Sequence, residues 1–171
     1  MITTLFFMIA NQASANPLEV HLEQIEAKYK DVQSIQASFV QETTNEFLPK
    51  PVVQEGVLSI TRPSLLHWKI EKPMEQHFYA DSEKITVWSP AQNQVIITPN
   101  QQSDDISALL TDLPGLREKY LIQLINDGDD STQIHFSLSP NDSQSDLEGG
   151  LQLWFSKETY ILQKVEVNSP Q

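Results

Sequence analysis

Between Gly56 and Val167 apolar and polar residues alternate in short runs separated by turn residues, and this rhythm constrains the architecture more than any other feature. Leu58 and Ile60 alternate with Val57, Ser59 and Thr61. Beyond Pro63-Ser64, Leu66, Trp68 and Ile70 face one way and Leu65, His67 and Lys69 the other. Successive side chains of a strand point to opposite faces, so a period of two predicts strands with one buried face. Phe78 to Ala80, Ile85 to Trp88, Val95 to Thr98, Tyr120 to Ile125 and Gln133 to Leu138 read the same way. So do Leu151, Leu153 and Phe155, and finally Ile161, Val165 and Val167, whose shared face Gln163 interrupts. Upstream, Ala37, Phe39 and Gln41 begin an extended segment that Pro49 to Pro51 interrupt. Short antiparallel strands at roughly 8–12-residue spacing point to a barrel or a strongly curved sheet.

Two helices remain to cover it. Asn16 is suited to cap, Pro17 to the first helical position and Glu19 to a capping box. Leu18, Leu22, Ile25, Tyr29 and Val32 then mark one apolar face of an amphipathic helix running to about Val32. Ser103-Asp104-Asp105 is expected to cap a short helix over Ile106 to Thr111, with Ala108, Leu109 and Leu110 on its apolar side and Pro114-Gly115 breaking the chain after it. The expected fold is therefore mainly β (α+β): a half-open, strongly curved antiparallel β-barrel covered by an N-terminal helix and a short lid helix.

Residues 1–15 read as a leader. An apolar run from Ile2 to Ala10 is too short to span a bilayer, and Ala13-Ser14-Ala15 is a small-x-small triplet that places cleavage after Ala15. Residues 16–171 are expected to form one exported domain. The chain carries a formal charge of −12, from 23 acidic against 11 basic residues, which speaks against nucleic acid as a partner. With no cysteine there is no disulfide, no thiolate metal site and no lipid anchor on sulfur.

Catalytic chemistry finds no foothold in the pattern. His21, His67, His77 and His135 show no metal-ligand spacing, and no phosphate loop, dinucleotide fingerprint or nucleophile elbow occurs. His67 and His77 read as a plain surface pair across a hairpin. Asp127-Gly128-Asp129-Asp130 reads as a solvated turn, its glycine too early for a calcium loop. Neither an enzyme nor a metal or cofactor is expected.

The ordered stretch Gly56-Val57-Leu58, Arg62-Pro63, Leu66-His67-Trp68, Lys72-Pro73, Gln76, Asp81, Val87-Trp88 and Gln94-Val95 resembles the outer-membrane lipoprotein carriers of the LolA family. The upstream Val32-Gln33-Ser34 with Ala37-Ser38-Phe39-Val40-Gln41 is similar to that family's V-x-S and A-x-F-x-Q segments, and Leu109-Leu110 to its short helix. The resemblance implies a half-open barrel under helices and a periplasmic shuttle. Such a shuttle takes acylated lipoproteins from an inner-membrane lipoprotein-releasing ABC transporter to a LolB-like outer-membrane acceptor. It implies that Arg62 hydrogen-bonds the lid, and that Ile106, Leu109 and Leu110 are the lid contacts. Phe39, Leu58, Ile60, Leu66, Trp68 and Ile70 are the candidates for the inward, ligand-facing surface, and an ordinary packed core explains the same residues. The acidic surface fits a basic patch on the acceptor, and a monomer is expected. Leu66 stands where the family often has Phe, Ser82 stands where its turn has Gly, and the chain reads as short at its C-terminus. A carrier or sensor of another lipid or glycolipid, and a structural domain with a filled interior, remain open beside the lipoprotein carrier.

Overall fold

The computed structural model describes residues 16–44, 46–47, 49–100, 106–128, 131–141 and 150–168. The expected leader and the Ser103–Asp105 cap lie outside them, and of Ile106 only the backbone is described. Helix α1 (Pro17–Tyr29) leads into six strands: β1 (Ser34–Thr43), β2 (Val52–Thr61), β3 (Leu65–Lys72), β4 (Gln76–Ala80), β5 (Lys84–Ser89) and β6 (Gln94–Pro99). Helix α2 (Ile106–Thr111), a 3-10 turn at Leu113–Gly115 and α3 (Leu116–Lys119) follow, and then β7 (Tyr120–Asn126), β8 (Gln133–Pro140), β9 (Leu151–Ser156) and β10 (Leu162–Val167).

The strands form two antiparallel meanders, a six-stranded sheet in the order β1-β2-β3-β4-β5-β6 and a four-stranded sheet in the order β10-β9-β8-β7. The described residues thus form a mainly β, α+β fold of two open sheets, with no closed barrel among them. One apolar core joins them. In the four-stranded sheet, Ile134, Phe136 and Leu138 pair directly with Phe155, Leu153 and Leu151, and all six are at most 1% exposed. Leu22, Ile25 and Tyr29 of α1 belong to the same cluster as these and as Leu58, Ile60 and Leu66 of the six-stranded sheet.

The helix stops at Tyr29 and not near Val32, for a reason visible at its last turn. Continuation would require the Tyr29 carbonyl to accept from the Gln33 N–H. That carbonyl instead accepts from Arg62 Nη1 at 2.7 Å and from the Val32 N–H at 3.2 Å. The Gln33 carbonyl is held in turn by the Arg62 N–H at 2.9 Å, so the β2–β3 corner grips the helix end and starts β1. At the N-terminus the expected cap forms: Asn16 Oδ1 accepts from the Leu18 N–H, with Pro17 in the first turn.

The last strand also departs from the simple alternation. A β-bulge between Leu162 and Lys164 leaves Gln163 without a partner on β9. The inward positions become Leu162 and Val165, with Val167 opposite Leu151 on the same face at the strand's exposed end, while Ile161 is displaced from that face and 48% exposed. An inserted residue reverses the faces beyond it, which a strict period of two does not anticipate.

Candidate functional site

Directly opposed residues of a ladder share a face, so the register shows what the inner face of the six-stranded sheet presents. One row runs Ile35, Ile60, Leu66, Ala80, Ile85 and Thr98, and the next runs Ala37, Leu58, Trp68, Phe78, Val87 and Ile96. Phe39, Gly56 and Ile70 begin a third row, which turns polar at Gln76 and Ser89. The six inward candidates read from the sequence therefore lie on one face, and Phe39 meets Trp68 edge to face at 5.1 Å. Period-two reading did not assign Phe78, Ile85, Val87 and Ile96 to that face; only the strand register adds them.

Cover over this face is uneven. Leu58, Ile60, Leu66 and Ile70 are buried, and α2 packs on β2 and β3 above them, with Leu109 1% and Leu110 9% exposed. Across β4 and β5 the rows are half-buried, and at β6 Ile96 is 47% exposed. Surface depressions of about 360 and 120 Å³ lie beside Lys157 and Gln163 and beside Met74 and Gln92. Neither is lined by Leu58, Ile60, Leu66 or Ile70; the first three lie in the buried core cluster and Ile70 is 5% exposed.

Arg62 sits at the cis-Pro corner after β2 and donates to the Tyr29 carbonyl of α1, while its Nη2 is buried without a hydrogen-bond partner. The described partner is thus the end of α1, not α2. Helix α1 is tied on other sides too. The Tyr29 hydroxyl accepts from the Leu162 N–H at 3.0 Å, and burial pushes its phenol above the ordinary tyrosine value, against the opposing effect of that hydrogen bond. Arg117 pairs with Glu19 and with Glu26, joining α3 to α1. His21, 8% exposed, lies between Asp127 at 3.2 Å and the Tyr160 hydroxyl at 3.4 Å. The Asp127-Gly128 end of the expected solvated turn is therefore engaged, with Lys157 Nζ also donating to both of its carbonyls; Asp129 and Asp130 lie outside the described residues.

The outer face carries a second cluster. His67 Nε2 and His77 Nδ1 are 3.1 Å apart with ring planes within 9° and centroids 5.4 Å apart, the geometry of two rings meeting end to end. His77 Nε2 lies 3.0 Å from Glu75 Oε1, an acceptor to which it donates, and its Nδ1 faces both His67 Nε2 and, at 3.3 Å, the Tyr79 hydroxyl. The pair is not a plain surface pair: His77 is 7% exposed under Tyr79 and Trp88. Burial first, then His77 and Lys69, hold the His67 pKa below the ordinary value of 6.5. A lowered histidine pKa stabilises the fold above the unfolded-state value, and that contribution is lost as pH falls through 6.5 toward the folded value. The urea midpoint is expected to fall between pH 7.5 and 5, and to fall less in His67→Gln. Equal slopes in the two proteins would remove His67 as the cause.

The model of the family "Outer membrane lipoprotein carrier protein LolA" matches residues 30–171. An outer-membrane lipoprotein carrier protein of Chromohalobacter salexigens is 29% identical over 139 residues, 80% of this chain and 64% of that protein. One from Hahella chejuensis is 29% identical over 164 residues, 93% of this chain and 73% of that protein. Among solved structures, a LolA superfamily protein from Nitrosomonas europaea aligns with a TM-score of 0.46 at 14% identity, covering 88% of this chain and 71% of that one. With its family's model matched from the end of α1 to the last residue, the chain belongs to the LolA family.

Proposed function

We propose that this protein is a periplasmic carrier that shelters the acyl chains of lipoproteins and passes them from an inner-membrane transporter to an outer-membrane acceptor. The observation that carries this reading is the pair of apolar rows crossing the six-stranded sheet, buried at Leu58 and 47% exposed at Ile96. An acyl chain in water costs about 0.8 kcal/mol per methylene, so a long chain gains about 10 kcal/mol from an apolar face. A carrier that keeps all of that gain does not let go.

The counterweight lies in α2. Leu109 and Leu110 fill the space above β2 and β3, and burying each is worth about 1.5–3 kcal/mol. Cargo displaces them, and their return favours release. Phe39, Leu58, Ile60, Leu66, Trp68 and Ile70 form the surface the cargo lies on. Arg62 keeps α1 seated at the corner where the cover meets the sheet.

Purified from a bacterium that makes lipoproteins, the protein is expected to carry acylated protein detectable by mass spectrometry, or to bind a lipopeptide added to it. Failure of both would leave the structural-domain reading, whereas a different co-purified lipid or glycolipid would redirect the cargo. Arg62→Leu removes a charge-assisted hydrogen bond and is expected to lower the unfolding free energy by about 2 kcal/mol. It is also expected to retain cargo in a transfer assay; unchanged release would take Arg62 out of the gating step.

A further inference from the structure

The third row on the inner face of the six-stranded sheet changes character midway. It passes from Phe39, Gly56 and Ile70 to Gln76, Ser89 and Gln94. One row further out, Gln41 stands directly opposite Gln54. None of these polar positions carries a charge, in a chain with 23 acidic and 11 basic residues. A depression of about 120 Å³ opens at this border, lined by Gln54, Gln76, Ser89 and Gln92 and flanked by Met74 and Glu75. Successive rows on one face lie about 7 Å apart along a strand, so the depression begins one row from Trp68, Phe78 and Val87.

The amides there have bonds to give. Gln76 Nε2 donates to Ser89 Oγ at 3.2 Å, which leaves Gln76 Oε1, its second N–H and the Ser89 O–H unengaged among the described residues. The Gln54 and Gln92 side chains have no hydrogen-bond partner among the described residues. A primary amide both donates and accepts, so it matches a peptide group, while its N–H or the serine O–H matches an ester carbonyl.

Charge narrows what these groups hold. Among the described residues Glu75 is the one charged side chain lining the depression, with Oε1 3.0 Å from His77 Nε2 and 4.0 Å from Lys69 Nζ. The nearby cations are given to other carboxylates, Lys69 to Glu71 at 2.9 Å and Lys72 to Glu55 at 2.8 Å. A phosphate seated here meets a carboxylate and no unpaired cation, whereas a neutral ester or amide meets matched donors and acceptors.

We propose that this amide-lined depression is the subsite for the uncharged ester and amide groups that join the acyl chains of the cargo to its peptide. The assignment rests on the carrier reading and adds to it a ground for choosing acylated peptide over phospholipid. Both bring the same apolar chains to Trp68 and Phe78, so the apolar rows do not tell them apart. The difference lies at the linkage, where phospholipid carries a phosphate and an acylated cysteine carries a thioether and peptide amides. Such a choice is a difference between two affinities, built by excluding one ligand as much as by attracting the other.

Two soluble ligands with the same pair of octanoyl chains test this on the full chain by calorimetry. One is an N-acetylated S-diacylglyceryl-cysteinyl peptide amide and the other a phosphatidylglycerol. The parent is expected to bind the lipopeptide about tenfold or more tightly than the phospholipid. Gln54→Leu combined with Gln76→Leu is expected to weaken the lipopeptide about tenfold and to bind the apolar dye N-phenylnaphthylamine as the parent does. Gln76→Lys supplies the missing cation and is expected to tighten the phospholipid about tenfold. Lipopeptide bound equally by the double variant and the parent overturns the subsite and leaves the carrier reading standing. Equal loss of dye and lipopeptide assigns the effect to the apolar rows and overturns it too, as does phospholipid binding unchanged by Gln76→Lys. A parent that binds the dye but no lipopeptide overturns both the subsite and the carrier reading.

Discussion

Gly56→Ala is expected to be among the most damaging single methyl additions in this chain, lowering the unfolding free energy by about 3 kcal/mol or more. A β-carbon built at Gly56 falls 1.9 Å from the Lys69 carbonyl oxygen and 2.9 Å from its carbon, and both are backbone atoms that no rotamer change moves aside. The register between β2 and β3 shifts at this point, between Glu55 and Gly56, so the two backbones come close where the irregularity sits. To admit a methyl group the strands must separate, and the pairs that set the inner face, Leu58 with Trp68 and Ile60 with Leu66, begin just beyond. The expected result is a lower urea midpoint together with lost lipopeptide binding. A Gly56→Ala protein as stable as the parent would mean that β2 and β3 do not approach in this way.

Phe155→Ala comes next, with an expected cost of about 3–5 kcal/mol. The ring is fully buried, lies directly opposite Ile134 and meets Phe136 edge to face at 6.0 Å. Leu22 and Ile25 of α1 belong to the same buried cluster as this ring, so collapse around the cavity is limited. Trp68→Ala provides the informative contrast. Trp68 is half-buried on the inner face of the other sheet, in contact with Phe39. Its removal is expected to reduce lipopeptide affinity about tenfold or more while costing less stability than Phe155→Ala, since less of the ring leaves water on folding. If the two variants lose stability and binding in the same proportion, the inner face is only core, and the carrier reading loses its surface.

Strand periodicity made most of this architecture readable. Leu151, Leu153 and Phe155, or Leu58 and Ile60, need no partner information to be placed on a buried face. Ile106–Thr111 was equally legible, because Leu109 and Leu110 follow a capping sequence and precede Pro114-Gly115. What one-dimensional pattern missed depended on a distant partner. The end of α1 is decided by Arg62, which takes the carbonyl a longer helix would need. Gln163 looked like a polar interruption because a bulge cannot be told from a polar substitution without its neighbouring strand. His67 and His77 read as a plain surface pair because nothing in their spacing points to a site. Their burial comes from Tyr79 and Trp88, which the register brings beside them. The extension of the inner face to Phe78, Val87 and Ile96 likewise exists only once the ladder is known.

Tyr29 holds two parts of the molecule by different chemistry: its main-chain carbonyl binds Arg62, and its side-chain hydroxyl binds the Leu162 N–H. The first tie is indifferent to the residue type at position 29, since every amino acid supplies a carbonyl. The second exists only with a phenol. Random substitution at this one codon therefore edits the attachment of α1 to β10 and leaves its attachment to the β2–β3 corner in place. Genetic variation reaches that corner through position 62 instead, so the two moorings of the helix drift independently through sequence space.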